Sequence, residues 1–209
     1  PNTYDATFDA DGGEWEDGTD TQTVPTVFGE EITAPADPTK EGHTFGGWVD
    51  AEGNAVVLTE VMPTKSLVLY AVWNVSEYTI TFELDGGMIE DKNVWTIVQD
   101  FGTAITEPET PVKEGYTFRK WVTKVVEEEE IRYVDYTMPE TMPAYNETVY
   151  AQWDINRYTI TFQDDSGNTL ASDTLDYGAV ITVPAVQKEG YTFVQWNEAI
   201  PGTMPADNV

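Results

Sequence analysis

Apolar and polar residues alternate in short runs along this chain. Tyr78, Ile80 and Phe82 are separated by Thr79 and Thr81, the period-two pattern of a strand with one face in a core and the other in solvent. Tyr158-Thr159-Ile160-Thr161-Phe162 repeats that segment residue for residue, and Tyr4-Asp5-Ala6-Thr7-Phe8 is a looser version of it. Residues that tolerate positive φ follow each run: Asp9-Ala10-Asp11-Gly12-Gly13, Leu84-Asp85-Gly86-Gly87 and Asp164-Asp165-Ser166-Gly167-Asn168. Each first strand is therefore expected to fold back as a hairpin. Val94-Trp95-Thr96-Ile97-Val98 reads as one returning strand. The Pro-containing stretch after it is expected to cross over, because Pro donates no ladder hydrogen bond.

The pattern recurs three times in the same order. Lys40-Glu41-Gly42-His43-Thr44-Phe45-Gly46-Gly47-Trp48 returns as Lys113-Glu114-Gly115-Tyr116-Thr117-Phe118-Arg119-Lys120-Trp121 and as Lys188-Glu189-Gly190-Tyr191-Thr192-Phe193-Val194-Gln195-Trp196, at offsets of 73 and 75 residues. Upstream of each lies an aromatic-Gly-x-x-Ile-Thr-x-Pro block, running from Phe28, Phe101 and Tyr177. Downstream come Met62-Pro63 with Tyr70-Ala71-Val72-Trp73, and Met142-Pro143 with Tyr150-Ala151-Gln152-Trp153. The third copy has Met204-Pro205, and the same spacing puts its Tyr beyond Val209, so its last strand is expected to be missing. Three modules follow: 1–77, 78–157 with an acidic insertion, and 158–209 lacking its last strand. About four strands and little helix are expected in each. Modules of about 70 residues without disulfide or metal lie near the lower limit of independent stability. Trp48 with Trp73, and Trp121 with Trp153, are expected to anchor their cores. Linkers of four residues, Asn74 to Glu77 and Asp154 to Arg157, imply a semi-rigid string of beads.

Composition fits a folded chain: 40% of the 209 residues are hydrophobic and 12% aromatic, so global disorder is excluded despite the charge. Thirty-eight acidic against ten basic residues give a net charge of -28, which disfavours nucleic acid and anionic lipid as partners. Without cysteine there are no disulfides, thiolate nucleophiles or thiolate zinc sites. No stretch is long and apolar enough to insert into a membrane and no signal-peptide pattern is present. Beginning at Pro1 without a Met, the chain is expected to be a piece excised from a longer protein.

Taken in order, Tyr-Thr-Ile-Thr-Phe, Asp-Gly-Gly, Phe-Gly-x-x-Ile-Thr-x-Pro, Lys-Glu-Gly-Tyr-Thr-Phe-x-x-Trp, Met-Pro and Tyr-Ala-x-Trp resemble the Listeria-Bacteroides repeat, also called the internalin-type B repeat. The resemblance covers essentially the whole chain. It implies a mainly β fold (β-grasp-like α+β) and tandem use in large bacterial surface proteins, often as stalks between a binding head and a cell-wall anchor. No catalytic motif comes with it. The chain departs from the pattern at the insertion Glu127 to Glu130 with Ile131 to Tyr136, and at the lost end of copy three.

Candidate sites are few. Asp9-Ala10-Asp11-Gly12 has the carboxylate spacing that opens some calcium loops, with Glu14 and Glu16 near. A plain hairpin turn explains Asp9 and Asp11 better, since the equivalent Leu84-Asp85 lacks the first carboxylate. The Glu127 to Glu130 run reads as a solvated loop tip before it reads as a site for a cation or basic partner. His43, the sole histidine, stands where Tyr116 and Tyr191 stand and is a packing variant. Trp15 and Trp95 offer a sugar-stacking platform if exposed, although Trp95 lies in a strand pattern. No phosphate loop, nucleophile elbow or histidine pair appears, so no catalytic residue and no cofactor is expected.

The leading expectation is a non-catalytic spacer or stalk of an extracellular, cell-surface or cell-wall protein, an adhesin, whose partners are the neighbouring domains of its parent. The alternative is a module that binds a host protein or glycan through a sheet edge or exposed aromatics.

Overall fold

A computed structural model describes residues 1–58, 60–127 and 130–209. Among the described residues there is no helix; the elements are β1 (Thr3–Asp9), β2 (Thr21–Val27), β3 (His43–Val49), β4 (Ala55–Val56), β5 (Leu67–Val75), β6 (Glu77–Glu83), β7 (Val94–Asp100), β8 (Tyr116–Glu127), β9 (Glu130–Asp135), β10 (Glu147–Ile155), β11 (Arg157–Gln163) and β12 (Thr169–Asp176). They form two compact units, Pro1–Thr79 with Ile97–Thr106 and Pro139–Glu147, and Ile80–Thr96 with Glu107–Met138 and Thr148–Val209.

The fold is mainly β, and the period-two runs form its strands. Ala6 and Phe8 of β1, Ile80 and Phe82 of β6, and Ile160 and Phe162 of β11 are buried while their neighbours are not. Copy one is a five-stranded sheet of order β2-β1-β5-β3-β4, and copy two repeats it as β7-β6-β10-β8-β9. β1 pairs antiparallel with β2 and parallel with β5, from Ala6↔Leu67 to Asp9↔Tyr70. A parallel pair needs a long crossover. That crossover, from β2 through β3, is irregular where an α+β expectation would place a helix, and Pro35 and Pro38 lie within it. Pro25 is tolerated inside β2 because β2 is an edge strand.

Each first strand folds back on the next as expected, β1 on β2 from Thr3↔Val27 to Asp9↔Thr21, but in copies one and two through a longer loop than a tight turn. After Asp9 the chain does not turn straight into β2 but makes an excursion in which Glu14 bridges Thr39; in copy two Met88 bridges Val112. Only β11 and β12 form the short hairpin. The reason lies in Gly13 and Gly87, where a side chain would collide with the Trp73 and Trp153 rings respectively. The second glycine of each Asp-Gly-Gly thus makes room for a core tryptophan. Trp73 Nε1 donates to the Ala10 carbonyl at 2.8 Å and Trp153 Nε1 to that of Leu84 at 3.0 Å.

The core of copy one gathers Ala6, Phe8, Trp15, Ile32, Trp48, Met62, Leu69 and Ala71, with Trp73 packed against it. Phe8 and Trp48 meet edge to face at 4.9 Å. A buried tryptophan removes roughly 200 Å² from water, an upper limit of about 5 kcal/mol at about 25 cal/mol per Å², which is how so small a module holds together. Copy three has a smaller core of Ile160, Phe162, Ile181 and Met204.

The insertion in copy two lengthens β8 to Glu127 and returns as β9, paired from Val122↔Asp135 to Glu127↔Glu130. Arg132 pairs with Glu127 at 2.8 Å. Glu128 and Glu129 of the acidic run lie outside the described residues.

Candidate functional site

The aromatic-Gly block and the Lys-Glu-Gly turn meet at each boundary between consecutive copies. Two backbone hydrogen bonds latch each aromatic-Gly turn to the buried Met-Pro of its own copy. Gly29 N donates to Met62 O (3.0 Å) and Met62 N to Glu30 O (2.8 Å); Gly102 N to Met142 O and Met142 N to Thr103 O (both 2.9 Å); Gly178 N to Met204 O and Met204 N to Ala179 O (both 2.8 Å). Met62, Met142 and Met204 are all fully buried, so each latch is fixed from the core.

The Lys-Glu-Gly turn is the other half. His43, Tyr116 and Tyr191 each donate a backbone N–H to the Lys carbonyl three residues back, at 3.0–3.1 Å. Gly42, Gly115 and Gly190 take φ of +69°, +75° and +79°, as the third position of such a turn demands. Glycine is required here for a second reason. A carbon added to Gly42 would fall within the Phe101 ring, and one added to Gly115 within the Tyr177 ring. The aromatic of one copy thus lies flush on the bare glycine of the copy before it.

The two joints share the same backbone hydrogen bonds and the same ring geometry. β5 and β6 are separated by Ser76 alone, β10 and β11 by Asn156 alone. Ser76 N donates to Gly42 O and Phe101 N to Ser76 O, both at 2.9 Å; Asn156 N donates to Gly115 O and Tyr177 N to Asn156 O, both at 2.9 Å. His43 meets Phe101 edge to face at 5.9 Å and 75°, and Tyr116 meets Tyr177 at the same distance and angle. His43 therefore does what the tyrosines do, which agrees with its reading as a packing variant. The unmatched halves are exposed: Phe28 is 49% accessible, and Tyr191 is 73% accessible beside an open Gly190.

The remaining sequence candidates fall elsewhere. Asp9 Oδ1 accepts the Asp11 N–H at 2.9 Å, and Asp11 sits at φ +45° in the turn. Lys40 Nζ reaches the Asp11 carbonyl at 3.0 Å, and Lys113 Nζ the Asp85 carbonyl at 2.6 Å. The repeated lysine thus ties its turn to the Asp-Gly-Gly turn, with its ammonium also 5.7 Å and 5.6 Å from the Trp73 and Trp153 rings. Among the described residues no three His, Cys, Asp or Glu gather where they could hold a metal ion. The sugar-platform reading of Trp15 is corrected: Trp15 is buried, stacks on Trp48 at 6.2 Å and donates Nε1–H to Ala36 O at 2.6 Å. Trp95 is half-buried under the Lys92 ammonium at 4.6 Å.

The shifted carboxylates are turn residues. Hydrogen bonds from Asn54 hold Asp50 below the usual range, those from Asn168 do the same for Asp164, and those from Thr19 for Asp17. Burial alone raises Glu147 at the start of β10. Sequence reasoning found both halves of the joint as motifs but not their meeting. The signal was there: two aromatics per copy recur beside turns, one opening the aromatic-Gly turn (Phe28 and its counterparts) and one directly after the Lys-Glu-Gly turn (His43 and its counterparts).

A β chain whose copies are stitched through their own turns is a tandem-repeat protein. The Listeria-Bacteroides repeat domain model matches residues 4–72, 78–152 and 158–208, and the chain belongs to that family. A protein of Evansella cellulosilytica, provisionally named a membrane protein, is 32% identical over 214 residues, 97% of this chain and 30% of its own length. Internalin H of Listeria monocytogenes is 35% identical over 157 residues, 73% of this chain and 25% of its own length. The chain thus spans less than a third of either relative.

Proposed function

We propose that the chain is a non-catalytic spacer within the stalk of a bacterial cell-surface or secreted adhesin, its copies coupled by the aromatic–glycine joint. The observation that carries this is the recurrence of one joint, with the same hydrogen bonds and ring geometry, at both boundaries. A binding site need occur once; a coupling must recur wherever two copies meet. Relatives that use a stretch of this kind as under a third of their length support a role between other domains. In this reading the modules are 1–77, 78–157 and 158–209, the partners are neighbouring domains of the parent, and the setting is extracellular. Asp9 and Asp11 act as turn residues and not as calcium ligands, because Asp9 already bonds the Asp11 amide.

Backbone ¹⁵N relaxation tests the coupling. Copies one and two are expected to tumble as one body; separate short correlation times, as of free modules of about 70 residues, would overturn the proposal. One feature favours a second reading, a module that binds a host protein or glycan. β9 is an unpaired edge with Ile131 and Tyr133 more than half exposed. A host-cell and glycan screen without hits at high protein concentration would remove it.

A further inference from the structure

β1 and β5 carry the chain into and out of copy one, since Ser76 alone separates β5 from β6. The two strands lie side by side and run parallel, in register from Ala6↔Leu67 to Asp9↔Tyr70. Direction decides how such a pair answers to tension. A pull backward on Thr3 and forward on Val75 slides parallel neighbours along one another, so every rung is strained together. In an antiparallel pair such as β1 and β2, a pull on the two free ends opens the rungs singly, beginning at Thr3↔Val27.

The surroundings of the parallel ladder protect it. β2 covers the far side of β1 and β3 that of β5, so neither strand is a sheet edge. Phe8 and Leu69, opposite one another in the ladder, are fully buried, as is Ala6. Water therefore does not reach the rungs from the core side to replace a bond as it stretches. A side chain adds one more rung. Ser66, directly before β5, accepts the Asp5 N–H on its Oγ at 3.1 Å. Copies two and three repeat the contact with asparagine: Asn146 Oδ1 accepts the Thr79 N–H at 2.8 Å, and Asn208 Oδ1 accepts the Thr159 N–H at 2.7 Å. All three residues are exposed, so what the position shares between copies is the hydrogen bond and not a place in the core.

We propose that the ladder between β1 and β5, with Ser66 as its added rung, is a shear clamp that bears tension applied along the chain. The clamp deepens the spacer reading and rests on it for the source of the load: a spacer between other domains transmits whatever pulls on them.

The test is single-molecule force measurement on the intact chain. The sequence has no cysteine, so pairs of introduced cysteines tether it at chosen points. Pro1→Cys with Glu77→Cys loads copy one along β1 and β5, whereas Pro1→Cys with Phe28→Cys loads β1 and β2 from their open end. The first pair is expected to yield in one step, at a force at least about twofold higher at equal pulling speed, because forced unfolding follows the barrier and its rungs break together. That step releases up to about 260 Å of chain, at about 3.6 Å for each residue from Thr3 to Val75. Ser66→Ala is expected to lower the force of the first pair and leave that of the second unchanged, and Ser66→Asn to restore it. Equal forces in the two geometries, stepwise yielding in the first, or a Ser66→Ala variant that changes both forces or neither would overturn the proposal. Relaxation that showed independent copies would remove the coupling and leave the force ratio standing; equal forces would remove the clamp and leave the coupling standing.

Discussion

Copies one and three carry the same Lys-Glu-Gly, Thr-Phe-x-x-Trp and Met-Pro signals, yet His43–Val49 is a strand and Tyr191–Trp196 is not. The difference is the partner. β3 is hydrogen-bonded to β5 from His43↔Val75 onward, whereas among the described residues no strand is paired with Tyr191–Trp196. The aromatic cluster survives nonetheless, with Phe162–Trp196 within 0.2 Å of Phe8–Trp48, since 5.1 Å compares with 4.9 Å. Side-chain packing on the first strand therefore forms without the ladder, and the ladder follows only when a neighbouring strand supplies it.

The sharpest way to break this comparison is to remove the tryptophan from each copy. Trp48 is buried among Phe8, Trp15 and Phe45, so Trp48→Ala is expected to cost about 3–5 kcal/mol in copy one. Trp196 is half-exposed in an open cleft, so Trp196→Ala is expected to cost about 1–2 kcal/mol. Amide exchange read separately in β1 and β11 measures each cost. Equal costs would mean that copy three packs as tightly as copy one.

How much was legible in the sequence follows the same division between local and non-local. The first strands were legible because Tyr4, Ala6 and Phe8 and their counterparts alternate within a few residues. The Met-Pro latch and the Trp73 seat on Gly13 were not, because they join residues that are far apart in the chain. Trp15 looked available for sugar and is buried, since nothing local announced that Ala36 O would accept its N–H. The joint was missed for the same reason: Gly42 reads as a turn glycine, and only Phe101 lying on it shows the second demand. β4 and β9 went unforeseen because one is two residues long and the other pairs only with the end of β8.

A second comparison sets a paired joint against an unpaired one. Gly42→Val meets both a positive φ and the Phe101 ring, and is expected to cost about 2–3 kcal/mol and to abolish exchange protection at the Ser76 and Phe101 amides. Gly190→Val meets the positive φ alone, since nothing lies within 4 Å, and about 1–2 kcal/mol is expected. If Ser76 and Phe101 stay protected in Gly42→Val, the ring does not depend on the bare glycine, and the joint is not the coupling.

The smallest effect sharpens the comparison between copies one and two, at the first residue of β5 and of β10. Leu67 packs against the core of copy one, whereas Glu147 is half-buried at the same position of copy two, where burial raises its carboxyl above the usual 4.5. An acid whose folded pKa is raised binds its proton more tightly folded than unfolded. Its charged form therefore opposes folding at neutral pH, and the opposition fades as pH falls through the raised value. Glu147→Leu is expected to stabilise copy two by about 1 kcal/mol at pH 7, a rise of about 2–4 °C in Tm. The gain should shrink as pH falls through the carboxylate range, down to what the added apolar contact contributes. Leu67→Glu should do the reverse in copy one, losing more at pH 7 than at low pH. A gain in Glu147→Leu that is flat with pH would assign the whole effect to apolar contact and none to the buried charge, and the two copies would then differ at this position in packing alone.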